Sequence, residues 1–437
     1  MNLGILRLFR VFLFLFLLQN LNAQVQTYDF DFIKKGAQDD NTLLLIGGIQ
    51  GDEPGSFMAA SLIATHYDIK KGSVWVIPNL NFYSIIKRSR GPYGDMNRKF
   101  ANLSKDDPDY STIKRIKKYI SDDKVKLILN LHDGSGYYRK KHINSMYSPK
   151  RWGQCSIIDQ KEINIPKYGN LQEISSRVVE NVNKKLLRNK DKYHIKNTKT
   201  RMGDKQMEKT LTYFAINKGK AAFANEASKQ LPLHERVYYH LLAIEEYMNI
   251  MGIEYKRGFE IKPDTIKEVI DHDIYISFYD EQIKLPLSKI RNILRYFPIN
   301  KDGGVEFTAS NPLMTIVKQN QEYIIHYGNR RLAKLHPDYI NIVKDDRLID
   351  IRVDEKPQKV KFGDIIYADN SFEIKPINDL RVNVIGYVNK NLKSEVGVKI
   401  SKDEIMKRFS INKDGTLFRV EFYKDDKFIG MILLGFQ

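Results

Sequence analysis

Between about residues 40 and 250, short apolar runs that fit buried strands alternate with longer amphipathic stretches. The runs are TLLLIGG (42–48), SVWVIPN (73–79), VKLILNLH (125–132) and KAAFANEA (220–227). Helices are predicted between and after them: from Pro54 through PGSFMAASLIATHY, from Asp109 through DYSTIKRIKKYI, from Asn170 through NLQEISSRVVENVNKKLL, and from Leu233 through LHERVYYHLLAIEEYMNIM. Proline in a first helical turn and Asp or Asn near the starts support those boundaries. Buried strands alternating with helices imply a mainly parallel, twisted α/β sheet.

After about Gly252 the texture changes. Residues 258–343 mix short strands with a helix expected in LSKIRNILRYF. From Leu348 onward, period-two alternation and KDG-type turns predict a small β domain. The expected organisation is a leader over 1–23, an α/β domain over 24–252, a small mixed α+β domain over 256–344 and a β-rich C-terminal domain over 347–437.

The leader reading rests on three features. MNLGILRLFR carries Arg7 and Arg10, VFLFLFLL is an eight-residue apolar centre, and LNA ends in Ala23. A basic start, a short apolar centre and a small residue at the exit describe a secretory signal peptide cleaved near Ala23. Eight residues are too few to span a hydrocarbon core, and no later run approaches spanning length. Cys155 is the single cysteine, so no disulfide forms within the chain, and its place in RWGQCSII with no histidine nearby in sequence predicts a buried, inert thiol.

The net charge is +18, yet the lysines are scattered and often adjoin acids, as in KDDPDY and YKDDKF. No arginine-rich arm, zinc finger or aromatic-basic RNA motif is present, which argues against nucleic acid as partner. An exported basic protein is instead drawn to anionic polymers or lipids around the cell.

Candidate chemistry clusters at or just after the strand ends of the first domain, where open α/β sheets bind ligands. GGIQGDEPG (47–55) leaves the first strand and RSRGPYGDMNRKF (88–100) follows the second. LNLHDGSG ends a later strand at His132, and FANEASKQ places Glu226 at the end of another. GDEPG, DMNRKF and NLHDG in this order resemble the M14-type zinc metallocarboxypeptidases, over roughly residues 40–250. The resemblance implies one zinc ion held by Gln50, Glu53 and His132. It also implies Glu226 as general base, Arg90 as oxyanion stabiliser, and Asn97 with Arg98 gripping the substrate's terminal carboxylate. The chemistry is coherent: a hydrolytic zinc needs three protein ligands and an open position. A carboxylate beside it moves the proton, and a guanidinium fork matches a carboxylate. Structural roles compete for each residue. His132 can be a satisfied strand-end histidine, Glu53 a cap for the helix at Pro54, Glu226 a surface carboxylate, and Arg98 a partner of Asp95. Arg88 competes with Arg90.

The family pattern has histidine where this chain has Gln50. An amide oxygen is a harder, weaker zinc ligand than imidazole nitrogen, so lower zinc affinity is expected. The departure is similar to that of the peptidoglycan DL-carboxypeptidases that set cell shape in curved and helical Gram-negative bacteria. That likeness implies a periplasmic enzyme trimming stem tripeptides to dipeptides with release of meso-diaminopimelate. It names no protein partner. Two alternatives remain at this stage: an N-deacylase of the succinylglutamate desuccinylase or aspartoacylase type, and an inactive wall-binding scaffold. Trp152, Arg139, His142, Thr210 and Tyr213 are further residues near the expected pocket.

Overall fold

The computed structural model describes residues 28–437 apart from positions 38, 302, 303 and 378. The leader expected over 1–23 lies outside the described residues. The first domain holds strands β1 (Ile33–Gly36), β2 (Thr42–Ile46), β3 (Tyr67–Lys71), β4 (Ser73–Ile77), β5 (Val125–Gly134), β6 (Tyr137–Tyr138), β7 (Tyr147–Ser148), β8 (Cys155–Ile158), β9 (His194–Asn197), β10 (Ala221–Ser228) and β11 (Glu254–Arg257). Its helices are α1 (Pro54–His66), α2 (Phe82–Lys87), α3 (Tyr110–Ile120), α4 (Leu171–Asn183), α5 (Leu211–Asn217) and α6 (Leu233–Ile250), with α7 (Pro263–Asp271) following.

Seven strands form one sheet in the order β1-β4-β2-β5-β10-β8-β9. The central pairs β4–β2, β2–β5 and β5–β10 are parallel, while β1 and β8 join antiparallel. The sequence explains the centre: every residue of TLLLI and SVWVI is buried, as strands covered on both faces require. Helix α3 buries Ile113, Ile116 and Ile120, and α4 buries Leu171, Ser175, Val178 and Val182, each a one-sided stripe. Helix α6 is buried nearly all round from Val237 to Met248 because it packs against α1, α4 and the sheet together. Its glutamates stay satisfied there. Tyr67 and Arg257 hold Glu245, and Arg177 holds Glu246.

The middle region is strand-built beyond α7. One sheet of three strands (275–278, 283–286 and 307–309) stands with one of four, ordered 293–300, 330–340, 322–327 and 314–319. The helix expected in LSKIRNILRYF is therefore corrected: Ile293–Asn300 is a strand, paired parallel with Arg330–Ile340. A bulge between Leu294 and Phe297 turns both side chains inward, so buried residues three apart imitate a helical repeat. The last region has two four-stranded sheets sharing one apolar core. Its residues Leu417, Phe428 and Met431 also join the larger core that runs through the first two regions. Among the described residues no helix is long and apolar enough to cross a membrane.

Candidate active site

The parallel pairing of β5 with β10 places Glu226 directly beside His132, although 94 residues separate them (226 − 132). The turn after β2 brings Gln50 and Glu53 to the same point. His132 Nδ1 lies 3.1 Å from Gln50 Oε1 and 3.0 Å from Glu53 Oε2. All four residues are buried and line one pocket of about 220 Å³, together with Arg90 and Arg98.

This turn needs its glycines. A Cβ at Gly51 would sit 2.0 Å from the carbonyl oxygen of Ser84 in α2, so only glycine lets the turn rest on that helix. Glu53 occupies the position just before α1, but its side chain makes no capping hydrogen bond. Its carboxylate is held instead by the Asp133 backbone N–H (3.1 Å), His132, Arg90 (3.3 Å) and Lys229 (3.6 Å). Lys229 also donates to Asp52 at 2.6 Å.

The residues fit a metal ion on three observations. First, the donor separations approach the ~3.3 Å edge of a tetrahedron with bonds of about 2.0–2.1 Å. Second, the sense of the Gln50 amide is set: Nε2 donates to Asp95 Oδ1 at 2.7 Å, which leaves Oε1 facing His132 and Glu53. Third, Asn130 Oδ1 is buried without a partner while its amide nitrogen lies 2.8 Å from His132 Nε2. Turning that amide over, a rotation crystallographers routinely assign from bonding alone, gives Oδ1 an Nε2–H to accept. The Nδ1 lone pair then points at Gln50 and Glu53, as a metal-ligating tautomer requires.

Electrostatics agree. Burial by itself pushes the His132 imidazolium pKa down, but the hydrogen-bonded Glu53 carboxylate outweighs it, with a smaller push from Glu226, and the net shift is upward. The point where the three atoms meet thus favours positive charge. Glu226 is pushed up to about 8, chiefly by burial and further by Glu53 and Asp133, against the pull of His132 and Arg90. Its Oε2 has no hydrogen-bond partner among the described residues. An unpaired, buried carboxyl with a perturbed pKa in a pocket is what a proton-transfer group looks like.

Arg90 donates to Asp95 (3.1 Å) and Glu53, with its side chain half-exposed at the pocket mouth. Arg88 points elsewhere, donating to the Asn329 carbonyl of the middle region. Arg98 is anchored by one nitrogen to the Asn97 carbonyl (3.0 Å) and stands 4.0 Å from Asp95. Asn97 spends its amide oxygen on the Leu211 N–H (3.0 Å), which pins the wall carrying Thr210, while its nitrogen lies 3.5 Å from His132. Trp152, Thr210 and Thr212 line the pocket, whereas Tyr213 is not among its lining residues. Arg139 does not line it either, but staples Tyr138, Lys190 and Lys192 by their carbonyls. His142 is exposed away from the pocket.

Beneath the site, Asp133 accepts from Arg236 (3.0 Å), the Gly55 N–H (2.7 Å) and His240 (3.1 Å). Burial opposes its charge, but His240 and Arg236 hold its carboxyl below the usual range. The network locks α1 and α6 to the end of β5. Sequence reasoning overlooked the roles of Asp95, Asp133, Lys229 and Asn130. Only Asn130 had a local signal, since it precedes His132 by two residues on the same strand face. Cys155 is buried and free, its thiol pushed up by burial, as expected of an inert residue.

The family model for the catalytic domain of a carboxypeptidase controlling helical cell shape matches residues 10–271. The beta-barrel domain of carboxypeptidase M99 matches 271–341, and the C-terminal domain of metallo-carboxypeptidase matches 343–437. The apo cell shape determinant protein Csd4 from Helicobacter pylori is 41% identical, with a TM-score of 0.86 over 94% of this chain and 100% of that one. Tripeptide-bound Csd4 gives the same figures. The mDAP-bound form of Helicobacter pylori Csd4, a D,L-carboxypeptidase, is 41% identical with a TM-score of 0.86 over 93% and 100%. No curated protein is a significant match. With a catalytic-domain match over more than half the chain and a likeness to Csd4 that runs almost end to end, the chain belongs to the M99 family of carboxypeptidases that control helical cell shape.

Proposed function

We propose that this carboxypeptidase removes the terminal meso-diaminopimelate from peptidoglycan stem tripeptides, leaving dipeptides, in the periplasm, with one zinc ion at Gln50, Glu53 and His132. The observation that carries the reading is the register of β5 and β10, which sets Glu226 beside His132 at the head of a pocket containing Arg90 and Arg98. The substrate class comes from the 41% identical Csd4, solved with tripeptide and with mDAP. Membership in a carboxypeptidase family takes the place of the N-deacylase alternative. Nothing favours the scaffold alternative, since the buried, unpartnered Glu226 is the feature an inactive site has no use for.

Gln50, Glu53 and His132 would hold the zinc, which when bound would supply a Lewis acid for the scissile carbonyl and water and a positive charge favouring ionised Glu226. Arg98, with two of its guanidinium nitrogens free of partners among the described residues, pairs with the substrate's terminal carboxylate. The Asn97 amide nitrogen stands near it. Glu226 Oε2 takes the proton of the water that adds to the peptide carbonyl carbon. Arg90 offsets the negative charge that develops on the carbonyl oxygen. As the C–N bond breaks, Glu226 hands its proton to the amine nitrogen and returns to carboxylate. Burial keeps bulk water from competing for that proton.

The test is mass spectrometry of a tripeptide muropeptide digest incubated with zinc-supplemented protein, beside Glu226→Gln. Loss of one diaminopimelate, absent in the variant, is expected. An unchanged digest with metal retained would sink the substrate reading.

A further inference from the structure

Exposed apolar surface gathers in one place away from the catalytic pocket. Of eleven large hydrophobic side chains well exposed among the described residues, five (Ile293, Tyr296, Val388, Leu392 and Phe409) line a single groove of about 790 Å³. The strand Ile293–Asn300 of the middle region forms one bank and the C-terminal region the other. Scattered single exposures need no explanation, but a gathered patch marks a contact surface.

The groove is built rather than incidental. Tyr296 is 74% exposed and sits at φ +52°, a left-handed conformation unfavourable for an aromatic residue. The bulge that puts it there is held from across the groove, where buried Arg419 donates to the carbonyls of Arg295 (3.1 Å) and Tyr296 (3.0 Å). Arg291 ties the banks again through Ser410 (3.0 Å) and the Lys407 carbonyl (3.1 Å). A conformation held against its own preference, displaying a ring to solvent, points to use of that ring.

The groove also carries unpaired positive charge. Arg295, Lys393 and Arg408 line it, and none has a carboxylate partner among the described residues. Arg408 lies over the Phe409 ring at 5.1 Å. Glu421 is taken up by Arg419 (3.2 Å) and Tyr423 (2.7 Å), and Glu395 accepts from the Val384 N–H (3.1 Å). Glu395 keeps its charge against that neutral partner and Asp338 has no cation partner among the described residues, so four cations without carboxylate partners, Arg291 included, face two acids.

We propose that this groove is a second docking site for the wall polymer itself: sugar rings lie on Tyr296 and Phe409, and stem-peptide carboxylates meet Arg295, Lys393 and Arg408. This identification of the occupant rests on the catalytic reading above: the polymer that carries the substrate is a saccharide strand bearing acidic peptides, which supplies apolar ring faces and repeated carboxylates together. A second contact on the same polymer raises the local concentration of stems at the catalytic pocket without any change in that pocket. Soluble tripeptide gains nothing from it.

The test is co-sedimentation of the full-length protein with purified, protein-free sacculi, across a salt series, beside Tyr296→Gly and Lys393→Glu. Glycine suits the left-handed position, so Tyr296→Gly removes the ring without adding backbone strain. Wild-type binding should weaken with salt. Each variant should bind sacculi at least about tenfold more weakly while turning over soluble tripeptide within about twofold of wild type. Variants that bind sacculi like wild type while cleaving tripeptide would overturn the docking site alone. Groove-dependent binding with no tripeptide cleavage by wild type would instead sink the catalytic reading. A wild-type dimer in analytical ultracentrifugation that both variants dissociate would assign the groove to a second copy of the chain and overturn the proposal.

Discussion

At position 50 an amide stands where the wider metallocarboxypeptidase pattern has imidazole, and on the zinc site proposed above its oxygen is the ligand atom. Asp95 takes its nitrogen, so its oxygen faces His132 and Glu53. Two outcomes follow at this scale. Gln50→His should hold zinc about tenfold more tightly or better in a chelator competition, because imidazole is the stronger ligand. Asp95→Asn should weaken zinc about 10–100-fold, the usual effect of losing an orienting outer partner; unchanged affinity would mean that Asp95 does not set the amide. Glu226 supplies a third. A carboxyl raised in the folded state supports folding while neutral, fully below its ordinary 4.5, and withdraws that support as pH climbs through about 8. Metal-free protein should therefore lose stability from pH 5 to 8. Glu226→Gln should flatten that slope, raise the melting temperature at pH 8 by the equivalent of about 1–3 kcal/mol, and lower turnover by about 10²–10⁴-fold. A variant no more stable than wild type at pH 8 would argue that Glu226 is solvated in solution.

Elements carry a different part of the account. The four buried strands and the helices from Pro54, Asp109, Asn170 and Leu233 were legible, because apolar runs and cap residues are local signals. The motif residues were legible for the same reason: strand-end loops announce themselves. Asp95 was not, since a hydrogen bond to a side chain 45 residues away leaves no pattern in the chain. Nor was the strand Ile293–Asn300, where a bulge spaces inward residues as a helix would. The tight seat of the Gln50 turn on α2 predicts that Gly51→Ala forces backbone apart. It should lower stability by about 1–3 kcal/mol and weaken metal binding with it, as thermal melts and chelator competition would report. A neutral outcome would mean the turn and α2 slide past each other freely.

Across the whole molecule, the catalytic and middle regions are joined through side chains from each. Tyr327 contacts Met58 (3.3 Å), Asn79 donates to the Pro312 carbonyl (3.0 Å), and Arg88 reaches Asn329. One apolar core runs through both and takes in Leu417, Phe428 and Met431 from the C-terminal region. Calorimetry should accordingly show the first two regions unfolding in one transition. A chain cut after residue 271 should expose Phe57 and Met58 and aggregate. Two well-resolved transitions for those regions, or a soluble and active truncation, would show that they fold independently.

The pairing of His132 with Glu226 has one more consequence, for how such a gene can change length. Segments between the two strands lie outside their ladder, so the exposed turns over 140–145 and 161–168 can gain or lose residues while the pair stays abreast. Inside 125–132 or 221–226, a single inserted codon shifts the alternation and sends one of the two to the far side of the sheet. A deletion-and-insertion scan should therefore find the enzyme tolerant in its loops and intolerant over those two short windows, whatever residue is inserted.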